Sequence, residues 1–218
     1  MKRYSFYLLL AVSCLACNSQ ETADTTTTPA TSAAAQGTTT TPKPVSTPDS
    51  LYEIVPGERI GRTYIGQPVA EATKDLGRPD AGDAAMGKAW GTWNGDGADS
   101  LQHQLSIYSV TNFDGGPEIS RVQQVRITSP SFATRSGVET GKLLSEVRQS
   151  FPALKAVGYY PGQQQRVYIY DSPREGIAFD VALPDSTVTA ITVHKPGEQA
   201  PTPYVGLHQG MVLLNAAQ

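Results

Sequence analysis

Three histidines, His103, His194 and His208, are the side chains whose ordinary pKa lies nearest neutrality. No two have the i, i+4 spacing that puts a pair of metal ligands on one helix face. His103 shares a strand face with Leu101 and Leu105, His194 lies opposite Val193 at a strand end, and His208 falls in the C-terminal tail. Hydrogen-bonded or edge positions are therefore expected for them. Asn94, Asp96 and Asp99 alternate in a glycine-rich stretch, as hard oxygen ligands for calcium do. Without a twelfth-position glutamate the stretch reads as a hairpin turn. Glu71 and Glu146 fall on the polar faces of two short amphipathic segments, near Lys74 and Lys142. There is no Gly-x-Ser-x-Gly elbow, Walker loop or dinucleotide fingerprint. No catalytic residue, metal ligand or cofactor is expected.

Aromatic residues offer a different chemistry, that of contact. Tyr168 and Tyr170 alternate with Val167 and Ile169, and Tyr108 stands opposite Ile107, so aliphatic burial would turn the tyrosines outward. Trp90 and Trp93 are three apart and cannot share a face of a regular strand. Tyr and Trp bring large contact area at small rotamer cost. Trp93, Tyr108, Tyr168 and Tyr170 are thus the candidate partner-binding residues. The alternative is that the tyrosines lie under the tail, residues 201–214.

Two cysteines, Cys14 and Cys17, occupy the N-terminal region and none follows, which excludes a disulfide scaffold or a cysteine-ligated metal in the body of the chain. Lys2 and Arg3 precede an apolar stretch over residues 6–16, the plan of an export signal. Eleven residues are too few for a helix to cross a hydrocarbon core of about 30 Å. The run Val12-Ser13-Cys14-Leu15-Ala16-Cys17 resembles a bacterial lipoprotein lipobox, which implies lipidation, palmitate included, of Cys17 after cleavage behind Ala16. Cys14 is the other possible acceptor. The polar run Asn18-Ser19-Gln20-Glu21 puts Cys17 at a boundary between membrane and water. The alternative is a secreted protein whose two cysteines leave with the discarded peptide.

Residues 18–50 include 11 Thr, 5 Ala, 4 Ser and 4 Pro, with Val45 the one aliphatic larger than Ala. Such a segment cannot bury enough apolar surface to offset chain entropy, so residues 17–50 are expected to be a disordered tether. Plain spacing is favoured over a glycosylated stalk. With 20 acidic against 17 basic residues and a net charge of −3, no nucleic-acid partner is expected.

Within residues 51–218 a pattern recurs. At an offset of 75, Gly66, Val69, Glu71, Ala72 and Leu76 match Gly141, Leu144, Glu146, Val147 and Phe151, with apolar residues at i, i+3 and i+7 of a short helix. Strand-like runs follow each segment. The final run reads Val122-x-x-Val125-x-Ile127-x-x-Pro130 first and Val188-x-x-Ile191-x-Val193-x-x-Pro196 second. The fold class expected is α+β, in two repeated units, each a short helix packed on an antiparallel sheet of about three to four strands. Module 1 would span 51–130, module 2 131–196, and the tail 197–218.

The stretch Pro56-Gly57-Glu58-Arg59-Ile60-Gly61, followed by Ile65-Gly66-Gln67-Pro68, Glu71-Ala72 and Leu76-Gly77-Arg78-Pro79, is similar to the G-x-(S/T/P)-x-x-E-V-x-x-x-L-G-x-P helix of small bacterial envelope lipoprotein domains. These are the BamE/SmpA kind and the tandem β-lactamase-inhibitor-protein-like fold. The resemblance spans residues 54–195 and implies two modules presenting a sheet face to a partner. Phe151-Pro152-Ala153 departs from the Leu-Gly-x-Pro expected in the second copy. Together these readings imply a non-catalytic protein-binding or assembly module. It would be held in the cell envelope, at the outer membrane, by an N-terminal lipid in the bilayer. An envelope hydrolase or carbohydrate-binding domain is the alternative.

Overall fold

Strands dominate because apolar residues alternate along most of the chain from residue 53 onward. In the computed structural model the described residues are 49–96, 103–113, 116–163, 165–200 and 207–214. Cys17, the expected tether as far as residue 48, and Asp99 lie outside them. Among the described residues, thirteen strands and two short helices run β1 (Glu53–Val55), β2 (Arg59–Ile60), β3 (Thr63–Tyr64), α1 (Val69–Ala72), β4 (Ala81–Ala85), β5 (Lys88–Asn94), β6 (Gln104–Thr111) and β7 (Ser120–Ile127). They continue with β8 (Ala133–Thr134), α2 (Leu144–Ser150), β9 (Lys155–Pro161), β10 (Arg166–Ser172), β11 (Ile177–Ala182), β12 (Thr187–His194) and β13 (Val212–Leu213). Among the described residues, no helix is long and apolar enough to cross a membrane.

The expected α+β class is corrected by this arrangement. The helices hold 4 and 7 residues, while the strands form a four-stranded sheet, β3-β2-β1-β8, and a nine-stranded one, β13-β9-β10-β11-β12-β7-β6-β5-β4. The protein is mostly β, and the two halves are not separate helix-on-sheet units. β7 and β12 pair antiparallel, Ile127 opposite Ile191 and Val125 opposite Val193, so one sheet runs through both halves. The physical reason is edge pairing. The last strand of each half would otherwise present a bare row of backbone donors and acceptors, and each covers the other.

The apolar i, i+3, i+7 pattern overstated the helices. Residues in α1 are none of them buried, no side chain caps it, and Leu76 is exposed. A four-residue helix has no stability of its own. It is held by the strand beneath: Gly66 N–H donates to Val122 O (2.7 Å) and Val122 N–H to Gln67 O (3.0 Å). The same two bonds occur before α2, from Gly141 N–H to Val188 O (2.8 Å) and from Val188 N–H to Lys142 O (2.9 Å). α2 adds a fully buried Val147, and the Glu146 carboxylate accepts from Leu143 N–H at 2.9 Å.

Val122 and Val188 each sit at a β-bulge. The ladder shifts between Tyr108 and Ser109 opposite β7, and between Asp180 and Val181 opposite β12. One extra residue in β7 and in β12 turns the period of two into a step of three, so Val122 and Val125, like Val188 and Ile191, face the same way. All four are buried, with Ile127, Phe179, Val181 and Val193, in the main apolar cluster that also takes Ile54, Ile60, Val147 and Phe151. A second, smaller cluster forms on the opposite sheet face, where Tyr160, Val167, Ile169, Ala178 and Ala182 lie with Ala200 and Met211. We call these the helix side and the tail side. Gly176 fastens the helix-side layer: a side chain there would meet His194 O at 2.4 Å and Gly57 Cα at 2.7 Å, so only glycine fits.

Candidate functional site

Cross-strand partners share a face, so register places each aromatic residue. Trp93 opposes Leu105 and packs on the helix-side cluster, its indole N–H donating to Gly77 O at 3.1 Å. Tyr168 opposes Val181 and Tyr170 opposes Phe179, which puts both tyrosines on the helix side. Tyr170 packs on the main cluster under Arg148, whose guanidinium carbon is 5.4 Å from the ring centroid. Tyr168 lies beside Tyr159, centroids 5.5 Å apart. The aliphatics Val167 and Ile169 are the ones that turn to the tail side. Tyr108, by contrast, is on the tail side in a row across four strands, Trp90, Tyr108, Gln124 and His194. The four candidate contacts are therefore not brought together: three lie on the helix side and Tyr108 on the other.

The tail side carries a site that the sequence reading did not assemble. Its centre is Asp180, where Oδ2 accepts from Arg126 Nε (3.0 Å), Arg126 Nη2 (2.8 Å) and the Tyr160 hydroxyl (2.9 Å). His208, from the tail, stacks flat on Tyr160 with centroids 3.7 Å apart, its Nε2 3.7 Å from the same carboxylate oxygen. Burial raises the Tyr160 phenol, and the Asp180 charge raises it further. Burial alone would lower Arg126, but Asp180 more than offsets this and the guanidinium is raised. His208 is pushed down to about 4 by burial, aided by Arg126 and opposed by Asp180. The ring is thus neutral at neutral pH.

Between this cluster and the Trp90–Tyr108 pair lies a pocket of about 60 Å³. Ile169, Ala200, Leu207 and Met211 give it apolar walls, with Ser106, Gln124 and Thr192 among its polar edges. The Trp90 indole lines it, and the indole N–H is shielded from solvent with no acceptor among the described residues.

The remaining candidates are used structurally. His194 is fully buried, Nε2 2.9 Å from Asp171 Oδ1 and Nδ1 3.1 Å from Lys195 O, while Asp171 Oδ2 accepts from Ala200 N–H at 3.0 Å. That triad anchors the start of the tail. His103 is exposed, as are Glu71 and Glu146. Asn94 Oδ1 accepts from Gln104 Nε2 at 3.0 Å, and no group of three or more potential metal ligands occurs among the described residues.

No family model matches the chain, and no curated protein matches it. Two solved structures are similar in part. An extracellular protein containing a SCP domain from Bacillus anthracis str. Ames is 11% identical at a TM-score of 0.40, over 61% of this chain and 44% of that one. The chain thus spans less than half the length of that protein. A DUF4309 family protein (YjgB) from Bacillus subtilis subsp. subtilis str. 168 is 13% identical at a TM-score of 0.37, over 64% of this chain and 88% of that one.

Proposed function

We propose that this is an envelope lipoprotein, anchored through Cys17, that binds another envelope protein without catalysis on the tail side of its nine-stranded sheet. One observation carries the reading: Trp90 and Tyr108 stand opposite each other on the tail side, half-buried beside a pocket with apolar walls. Tyr and Trp bring large contact area at small rotamer cost, so a partner that covers these two rings gains apolar burial. The helix side is less open to such a role, because Trp93 and Tyr170 are engaged in the main cluster. The lipobox-like run ending at Cys17 and the polar tether after it support the anchor, and the outer membrane is its proposed site.

The test is photo-crosslinking in native membranes. A photoreactive residue at position 108 is expected to yield an adduct with an envelope protein, whereas one at the exposed Lys74 is not. Equal adducts from both positions, or none from 108, would overturn the binding face. The Cys17→Ser protein is expected in the soluble fraction, and its retention in membranes would overturn the anchor.

A further inference from the structure

The turn between β4 and β5 carries a residue that such a turn does not favour. Ala85 pairs with Lys88, so Met86 and Gly87 are the two turn residues, and their φ angles of 51° and 74° are the positive pair that a type I′ hairpin needs. Asn or Asp suits the first position, because a longer side chain at positive φ crowds its own backbone. Met86 stands there instead, 91% exposed, the most of any large apolar residue described. Phe113 lies across the turn, its ring where a side chain at Gly87 would stand, and Thr111 N–H donates to Gly87 O at 2.7 Å, which ties the end of β6 to the turn. Phe113 is 61% exposed, and Ile119, next to the Ser120 that pairs with Thr111, is 37% exposed. Three exposed apolar side chains thus share one end of the nine-stranded sheet. An unfavoured backbone and an exposed apolar side chain at the same residue point outward, to a contact.

What covers this tip follows from its shape, its charge and its tether. The side chains stand on turns at the end of the sheet, and a projecting apolar side chain needs a partner that yields around it, as the boundary between headgroups and acyl chains does. In sequence the charged neighbours of the three are Lys88 and Arg121 against Asp83, Asp114 and Glu118, so no basic excess draws the tip to anionic headgroups and the contact is apolar. The expected tether, residues 18–48 between Cys17 and the first described residue, would have a mean reach of about 30 Å as a flexible chain. An anchored body is then held close enough for a weak second contact to persist, because that contact is intramolecular in effect. We propose that Met86, Phe113 and Ile119 form a tip that dips into the interface of the bilayer holding the N-terminal lipid. The inference rests on the anchor at Cys17, and its test separates the two.

The full chain is reconstituted in phosphatidylethanolamine–phosphatidylglycerol vesicles, with an environment-sensitive fluorophore at Ala85→Cys or at Asp96→Cys. Both positions are exposed, and β5, seven residues long, sets them about 20 Å apart at opposite ends of the sheet. Lipids carrying a nitroxide just below the headgroup are expected to quench the label at 85 and not the one at 96, and high salt is expected to leave the quenching unchanged. Met86→Asn with Phe113→Ser is expected to remove most of it. Met86→Asn alone is expected to keep or raise the urea midpoint, since Asn suits the turn. A lowered midpoint would assign Met86 to the fold, and equal quenching at 85 and 96, or quenching that survives the double substitution, would overturn the tip. A label at 85 already shielded before vesicles are added would overturn the lipid as occupant in favour of a second copy. Cys17→Ser divides the two readings. Unanchored chain that binds vesicles as well as the parent, with 85 quenched, would overturn the anchor and leave the tip standing, while a parent chain that stays bound with 85 unquenched would do the reverse.

Discussion

One carboxylate oxygen, Asp180 Oδ2, collects three donors in a site where Arg126 is almost fully withdrawn from water. Deleting one partner of such a pair costs more than the pair is worth, because the other charge stays buried without compensation. Asp180→Ala is therefore expected to destabilise the fold by about 3–5 kcal/mol, seen as a lower urea midpoint. The double variant Arg126→Met with Asp180→Leu is expected to lose markedly less, since no charge is then stranded. A double variant as unstable as the single one would show that packing, not charge, sets the cost. At this scale the sequence is informative about polarity and silent about partners. Arg126 stands alone between Val125 and Ile127, and Asp180 between Phe179 and Val181, which marks each as the outward residue of a strand. Their meeting across 54 positions depends on β7 lying beside β12, a fact no local pattern carries. Tyr168 and Tyr170 fail for the opposite reason. Alternation separates them correctly from Val167 and Ile169, yet both faces of this sheet are covered, so alternation cannot tell which set meets solvent.

Elements were legible where a two-residue period ran long enough, as in β6, β10 and β11. The three-residue step in β7 and β12 was legible as a pattern but not as a cause, which is the bulge. The tail offered no period at all. It is held by a two-residue strand, β13, whose Val212 and Leu213 are exposed, by the Leu214 N–H bond to Val157 O (2.9 Å), and by His208 on Tyr160. His208 faces Asp180, Arg126 and Tyr160, and its docked pKa of about 4 lies below the ordinary 6.5. Docking strength contributed by the neutral ring is present above pH 6.5 and is lost as pH falls toward 4, where the docked ring itself takes a proton. The loss is at most about 3–4 kcal/mol, from about 1.4 kcal/mol per pKa unit. Hydrogen exchange at the Leu214 amide, corrected for intrinsic rates, is expected to show falling protection from pH 7 to pH 5. His208→Phe is expected to keep the stacking and flatten that dependence. An equal pH slope in the variant would assign the effect to another group.

At the scale of the whole molecule, the expected two modules fail because the sequence pattern that marks each half is local and the joint between them is not. Helix-like segment, strands and closing bulge recur within each half, and all of these can be seen in a window of a few dozen residues. The antiparallel pairing of β7 with β12 draws on backbone groups, which every residue possesses and no composition reveals. Once made, the joint places residues of both halves in one apolar cluster: Ile107, Val122 and Val125 with Phe179, Ile191 and Val193. Fully burying such a side chain stabilises by about 1.5–3 kcal/mol, so neither half retains its core when the other unfolds. Both tryptophans lie in the first half, at 90 and 93, while Phe151 and Phe179 pack at a tilt, centroids 5.3 Å apart, in the second. Tryptophan fluorescence therefore reports on one half, and far-ultraviolet circular dichroism on the sheet as a whole. The two urea transitions are expected to coincide, with one midpoint and one slope. A tryptophan transition that precedes the sheet transition would mean that the first half melts by itself and that the β7–β12 joint is weaker than the shared core implies.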